Sequence, residues 1–173
     1  MKNKKALSTV IATVLMILLV LAAITIVWTF VNKFVKDKTE GTQSCFDVES
    51  SEKVTINNYY TCYNDSSDEV QFSINIEDAE IDGLLITILA GGNSKSFTLT
   101  NDSTVVSNLK PYMGNYGTAV TLPGKNEGKT YVAGGFVGIS KIDSIKIAPI
   151  IEEKQCGQSD LTFQIDDCAL FAS

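Results

Sequence analysis

The stretch ALSTVIATVLMILLVLAAITIVWTFV, from Ala6 to Val31, runs for 26 residues without a charge, and everything else in the sequence is arranged around it. Its only polar members are Ser8, Thr9, Thr13, Thr25 and Thr29. At about 1.5 Å per helical residue such a run reaches about 39 Å, more than the roughly 30 Å of a bilayer's hydrocarbon core. The hydroxyls are tolerable there because Ser and Thr side chains can bond a backbone carbonyl one turn back. Neither Gly nor Pro interrupts the chain before Gly41. One unbroken helix is therefore predicted, ending near Lys38. Lys33, Lys36 and Lys38 would then lie at its negative dipole end, with Gly41 as the stop.

Charge divides the chain at the same place. All 14 cations are Lys, set against 20 acids, for a net charge of -6. Residues 1–38 carry +5 and residues 39–173 carry -11. An acidic outer part argues against a nucleic-acid partner. The absence of histidine excludes Ser-His-Asp and Cys-His catalysis and any metal site that needs imidazole. Lys2, Lys4 and Lys5 on the short N-terminal tail assign that tail to the cytoplasm and residues 39–173 to the outside, as a single-pass membrane precursor. A secretory h-region is about 7 to 15 residues and ends in a small-x-small cleavage site. This run is longer and ends in Trp28-Thr29-Phe30-Val31-Asn32-Lys33-Phe34, so conventional cleavage is not expected.

Beyond Gly41 the pattern changes to strict alternation: Val70-Gln71-Phe72-Ser73-Ile74-Asn75-Ile76, Lys95 to Thr100 and Leu161 to Asp166. Further strands are expected at Lys53 to Ile56, Leu84 to Leu89, Thr118 to Leu122, Tyr131 to Val137 and Ser144 to Ile151. Turn signals at Gly91-Gly92-Asn93, Pro123-Gly124-Lys125-Asn126 and Gly134-Gly135 divide them. The class is α+β: a long N-terminal hydrophobic helix followed by an all-β antiparallel sandwich.

Four cysteines, Cys45, Cys62, Cys156 and Cys168, lack CxxC spacing, and an even number in an outer domain favours two disulfides. Of the three connectivities, Cys45 with Cys62 and Cys156 with Cys168 is preferred because the loops are short, each bridge adding roughly 3 kcal/mol. Asn64-Asp65-Ser66 and Asn101-Asp102-Ser103 are N-glycosylation sequons in turn-like surroundings. Asp78-Ala79-Glu80-Ile81-Asp82-Gly83 begins like a calcium loop, but the twelfth position is Leu89, so the EF-hand reading fails. No metal, cofactor or catalytic residue is assigned.

Lys4-Lys5-Ala6, followed by Leu7-Ser8-Thr9-Val10-Ile11-Ala12-Thr13-Val14-Leu15-Met16-Ile17, resembles the class III signal of archaeal type IV pilins and archaellins. The likeness covers roughly the first 30 residues. It implies cleavage between Ala6 and Leu7 by a prepilin peptidase, so residues 1–6 are the signal, 7–38 the membrane and filament-core helix, and 39–173 the outer domain. Three departures stand out. The fifth mature position is Ile11 where bacterial pilins place Glu, the third is Thr9 where many haloarchaeal relatives have Pro, and Ala6 replaces the commoner Gly. The resemblance further implies an immunoglobulin-like form of the sandwich, surface glycosylation, self-assembly through the helix, and dependence on a membrane platform and a cytoplasmic ATPase.

The resulting expectation is a structural subunit of a pilus-like surface filament for adhesion, and not an enzyme. The competing reading is a membrane-anchored extracellular binding or sensory domain that never polymerises.

Overall fold

The computed structural model describes residues 4–163 and 165–168, with side chains described for 11–36, 44–163 and 165–168. By internal contacts the chain divides into two units, Met1–Glu40 and Gly41–Ser173.

Helix α1 covers Lys4–Ser50, 47 residues. The expectation that it ends near Lys38 with Gly41 as the stop is corrected: the backbone stays helical through Gly41 for almost three more turns, and no basic residue lies in its last turn. Glycine costs a helix interior only about 1 kcal/mol, and burial downstream outweighs it, since Val48 is 6% exposed and Cys45 is covalently tied. The helix stops instead in a Schellman motif. Glu52 takes φ +49°, its N–H donates to the Glu49 carbonyl at 3.4 Å, and the Lys53 N–H donates to the Val48 carbonyl at 3.3 Å. The Ser51 hydroxyl satisfies one more carbonyl, that of Asp47, at 2.7 Å.

The outer unit is a sandwich of two sheets. The first has β1 (Val54–Ile56), β2 (Cys62–Asn64), β3 (Glu69–Ile76), β6 (Leu109–Pro111), β7 (Glu127–Ala133) and β11 (Asp166–Asp167). Its order is β11-β2-β3-β7-β6, with β1 also on β3. The second has β4 (Gly83–Ala90), β5 (Asn93–Thr100), β8 (Ser144–Ile151), β9 (Lys154–Gln155) and β10 (Asp160–Thr162). Its order is β10-β8-β4-β5, with β9 also on β8. All pairings are antiparallel except β11 with β2, which is parallel. Alternation decides the register: Val70, Phe72, Ile74 and Ile76 from β3 face Leu84, Ile86 and Ile88 from β4 and Ile145 and Ile147 from β8 in one core.

Three strand expectations are corrected. Thr118 to Leu122 makes only a single bridge, Val120 with Thr104, because the Thr118 N–H is already used in a turn to the Asn115 carbonyl. The strand expected at Tyr131 to Val137 ends at Ala133, since Gly135 adopts φ +83°. Leu161 to Asp166 is not one strand: β10 ends at Thr162 in the second sheet and β11 begins at Asp166 in the first. The β4–β5 hairpin turns on Gly91 and Gly92, both at positive φ as a two-residue turn requires.

Candidate functional site

Within Ile11–Lys36 the most apolar 18-residue window of helix α1 has a mean hydropathy of 2.9, and every residue of the span is exposed on the single chain. The exposed set includes Met16, Leu19, Trp28 and Phe30, the last at 74%. By length and composition this is a helix able to cross a membrane, as an anchor or a signal. The hydroxyls behave as the apolar environment demands, for Thr25 Oγ1 donates to the Ala22 carbonyl and Thr29 Oγ1 to the Ile26 carbonyl, each at 2.8 Å. Thr13, Met16, Ile17, Val20 and Leu21, at helical spacing, line a wholly apolar groove. Lys4, Lys5, Ala6 and Leu7 lie in helical backbone, but their side chains fall outside those described.

All four cysteines are bonded, in pairs other than those expected. The preferred Cys45–Cys62 and Cys156–Cys168 pairing is corrected to Cys45–Cys156, with Cα atoms 5.3 Å apart, and Cys62–Cys168, at 4.9 Å. Topology decides it. Cys156 follows β9 in the second sheet, whereas Cys168 follows β11, which lies beside β2 in the first. Both bridges join the beginning of the outer unit to its end, closing sequence separations of 111 and 106 residues. In the loop-entropy account each is then worth about 4.7 kcal/mol rather than the roughly 3 of a short loop. Disulfides of this kind belong to an oxidising, extracellular setting. Near the first bridge the Glu49 carboxylate accepts from the Gly157 N–H at 2.5 Å. Cys45, Glu49 and Cys156 could ligate a metal by proximity, but the two sulfurs are bonded to each other.

The two sequons differ in their surroundings. The Asn64 side-chain oxygen accepts from the Ser66 N–H at 3.0 Å, forming an Asx turn at the β2–β3 hairpin. The Asn101 amide nitrogen donates to the Ile81 carbonyl at 3.0 Å, and a glycan on that nitrogen would disturb the bond. In the acidic segment, Asp78 pairs with Lys125 at 2.5 Å, and that hydrogen bond together with the Lys125 charge holds its carboxyl below the ordinary value. Asp82 accepts from the Glu152 N–H at 2.6 Å.

One cluster has no signal in the sequence. Glu69 Oε1 accepts from Lys110 Nζ at 2.8 Å and from the Tyr116 hydroxyl at 2.7 Å. The Lys110 ammonium also sits 4.5 Å from the Tyr116 ring centroid. The Glu69 and Lys110 side chains are mostly buried. Burial pushes the Glu69 carboxyl up, but the hydrogen bonds from Lys110 and Tyr116 and the Lys110 charge outweigh it and hold it below its ordinary value. Burial, followed by the bond to Glu69, pushes the Tyr116 phenol up. Separations of 41 and 47 residues leave no local pattern by which this cluster could be found.

Comparison with protein-family models, with characterised proteins and with solved structures finds no match to this chain.

Proposed function

We propose that this chain is a structural subunit of a pilus-like surface filament, first held in the membrane and then polymerised through α1. The single observation that carries this reading is the 26-residue apolar helix, exposed on every side, on a chain whose other unit is a disulfide-bonded domain with a core of its own. A helix apolar all round is stable in lipid or in a bundle of its own copies. Moving it from one to the other exchanges lipid contacts for helix packing with little net hydrophobic gain, so assembly needs outside work, which a membrane platform and a cytoplasmic ATPase would supply. The Lys2, Lys4 and Lys5 tail favours a cytoplasmic N-terminus. A prepilin peptidase on that side would cut between Ala6 and Leu7, leaving 167 residues.

In this reading the partners are other copies of the chain, the peptidase and the assembly machinery. The outer domain serves adhesion, and the chain catalyses no reaction. N-terminal sequencing of fibres sheared from the cell surface is expected to begin at Leu7. An intact Met1 on a chain that leaves detergent as a single subunit would replace the filament by a plain membrane anchor.

A further inference from the structure

Asn64-Asp65-Ser66 and Asn101-Asp102-Ser103 are the same tripeptide. Both carry the hydroxyl residue and the non-proline centre that an N-glycan acceptor needs, so the motif itself cannot rank them and their surroundings must. Exposure alone would choose the second, since Asn101 is exposed and Asn64 only half-buried. Hydrogen bonding and the direction of each side chain choose the first.

Asn64 ends β2 and pairs across the hairpin with Glu69, and directly opposed side chains share one face of a sheet. Val70, the next residue along β3, is buried in the core, so Asn64 and Glu69 stand on the outer face. The Asn64 side-chain oxygen accepts from the Ser66 N–H, while its amide nitrogen has no partner among the described residues. Asp65, Ser66 and Ser67 form the exposed tip of the hairpin, and such a tip is open to a modifying enzyme. Asn101 is built in. It lies one residue beyond β5, in step with Phe97 and Leu99, the two buried residues of that strand. Its amide nitrogen donates to the Ile81 carbonyl at 3.0 Å, and the residue lines a cleft with Ile76, Ile81, Pro123 and Lys125. The backbone is held on both sides of it, by the Leu122 N–H to the Thr100 carbonyl at 3.1 Å and by the bridge of Thr104 with Val120.

We propose that Asn64 is the N-glycan acceptor of this chain and that Asn101 is a structural asparagine that stays unmodified in the folded domain. The donor is a lipid-linked glycosyl phosphate or diphosphate, presented by a transferase at the outer face of the membrane. The bond from Asn64 Nδ2 to the sugar's C1 forms as the C1–O bond to the phosphate breaks. The amide gives up one proton, and the phosphate leaves with the bonding pair. An attacking amide must twist to free its nitrogen lone pair from conjugation. Asn64 can do so without losing any bond to that nitrogen, whereas Asn101 must first give up the Ile81 carbonyl and leave its cleft. The assignment rests on the reading that the domain lies outside the cell, not on polymerisation.

The test maps peptides by mass from the full chain, purified from the cells that make it and digested without reduction. The Asn64 peptide is expected to carry a glycan and the Asn101 peptide none, while the Cys45–Cys156 and Cys62–Cys168 peptides in the same digest report that the domain reached an oxidising compartment. Ser66→Ala removes the acceptor hydroxyl but keeps the N–H that Asn64 binds, and is expected to abolish the glycan with the near-UV spectrum retained. Ser103→Ala is expected to leave the glycan mass unchanged. Asn101→Ala is expected to lower the urea midpoint with the glycan still in place, as a structural role requires. A bare Asn64 in a chain with both bridges formed, a glycan on Asn101, a glycan that survives Ser66→Ala, or an unchanged midpoint for Asn101→Ala would each overturn the proposal. A bare Asn64 with all four cysteines reduced would overturn the outside location and the proposal with it. Each outcome is read whether or not the chain forms fibres.

Discussion

Phe30 and Phe72 are the same residue put to opposite uses. Phe72 is 0% exposed in the centre of the sandwich, tilted against Tyr131 at 5.7 Å between ring centroids. Phe30 stands on the bare helix. The outer domain spends its apolar residues on its own fold, so its stability is a property of one chain. The helix leaves its apolar residues uncovered, so its stability depends on whatever covers them.

The contrast breaks if the two phenylalanines behave alike. Phe72→Ala is expected to destabilise the domain by about 3 to 5 kcal/mol, and Phe30→Ala to change it by less than about 0.5 kcal/mol. Urea unfolding of the micellar chain, followed by near-UV circular dichroism, reads both. Paired replacement of Cys62 and Cys168 by Ala should cost about 2 to 5 kcal/mol in the same assay, with membrane insertion of α1 unaltered. A drop in insertion would mean that the two units share their stability.

Smaller effects sharpen the picture within the domain. Glu69→Gln weakens the Lys110 pair and should cost about 1 to 2 kcal/mol near neutral pH. Because the folded carboxyl titrates below its ordinary value of 4.5, its contribution is complete above that pH and is lost as pH falls through the lower folded value. The gap between wild type and variant should therefore close on acidification, as unfolding curves across that range would reveal. Smallest is a gain: Glu52→Gly relieves a left-handed residue at the helix stop and should stabilise by about 1 kcal/mol, measured as a rise in urea midpoint.

The helix, β1, β3, β4, β5 and β8 were legible because each repeats a single physical period over its length, and Gly91-Gly92 named its own turn. The helix stop was not, since Glu52 occupies a position where glycine is the usual sign. The β8–β9 turn was hidden likewise, with Glu152 and Glu153 both at positive φ and Asp82 holding the first. The cysteine pairs misled for a different reason. Nearness in sequence favours short loops, but the sandwich brings its two ends together, as the Ile56 N–H to Asp160 carboxylate bond at 2.7 Å across the two sheets attests. The Glu69–Lys110–Tyr116 cluster, assembled from β3, β6 and the loop after it, has no local signature at all.

The bridges also impose an order on the chain's biogenesis. In the proposed topology Cys45 and Cys62 would emerge together on the far side of the membrane, each waiting for a mate more than a hundred residues later in the chain. During that interval their readiest partner is one another. A growing chain is thus exposed to the very mispairing that short-loop reasoning selects, and a thiol exchange catalyst that reopens it would hasten maturation.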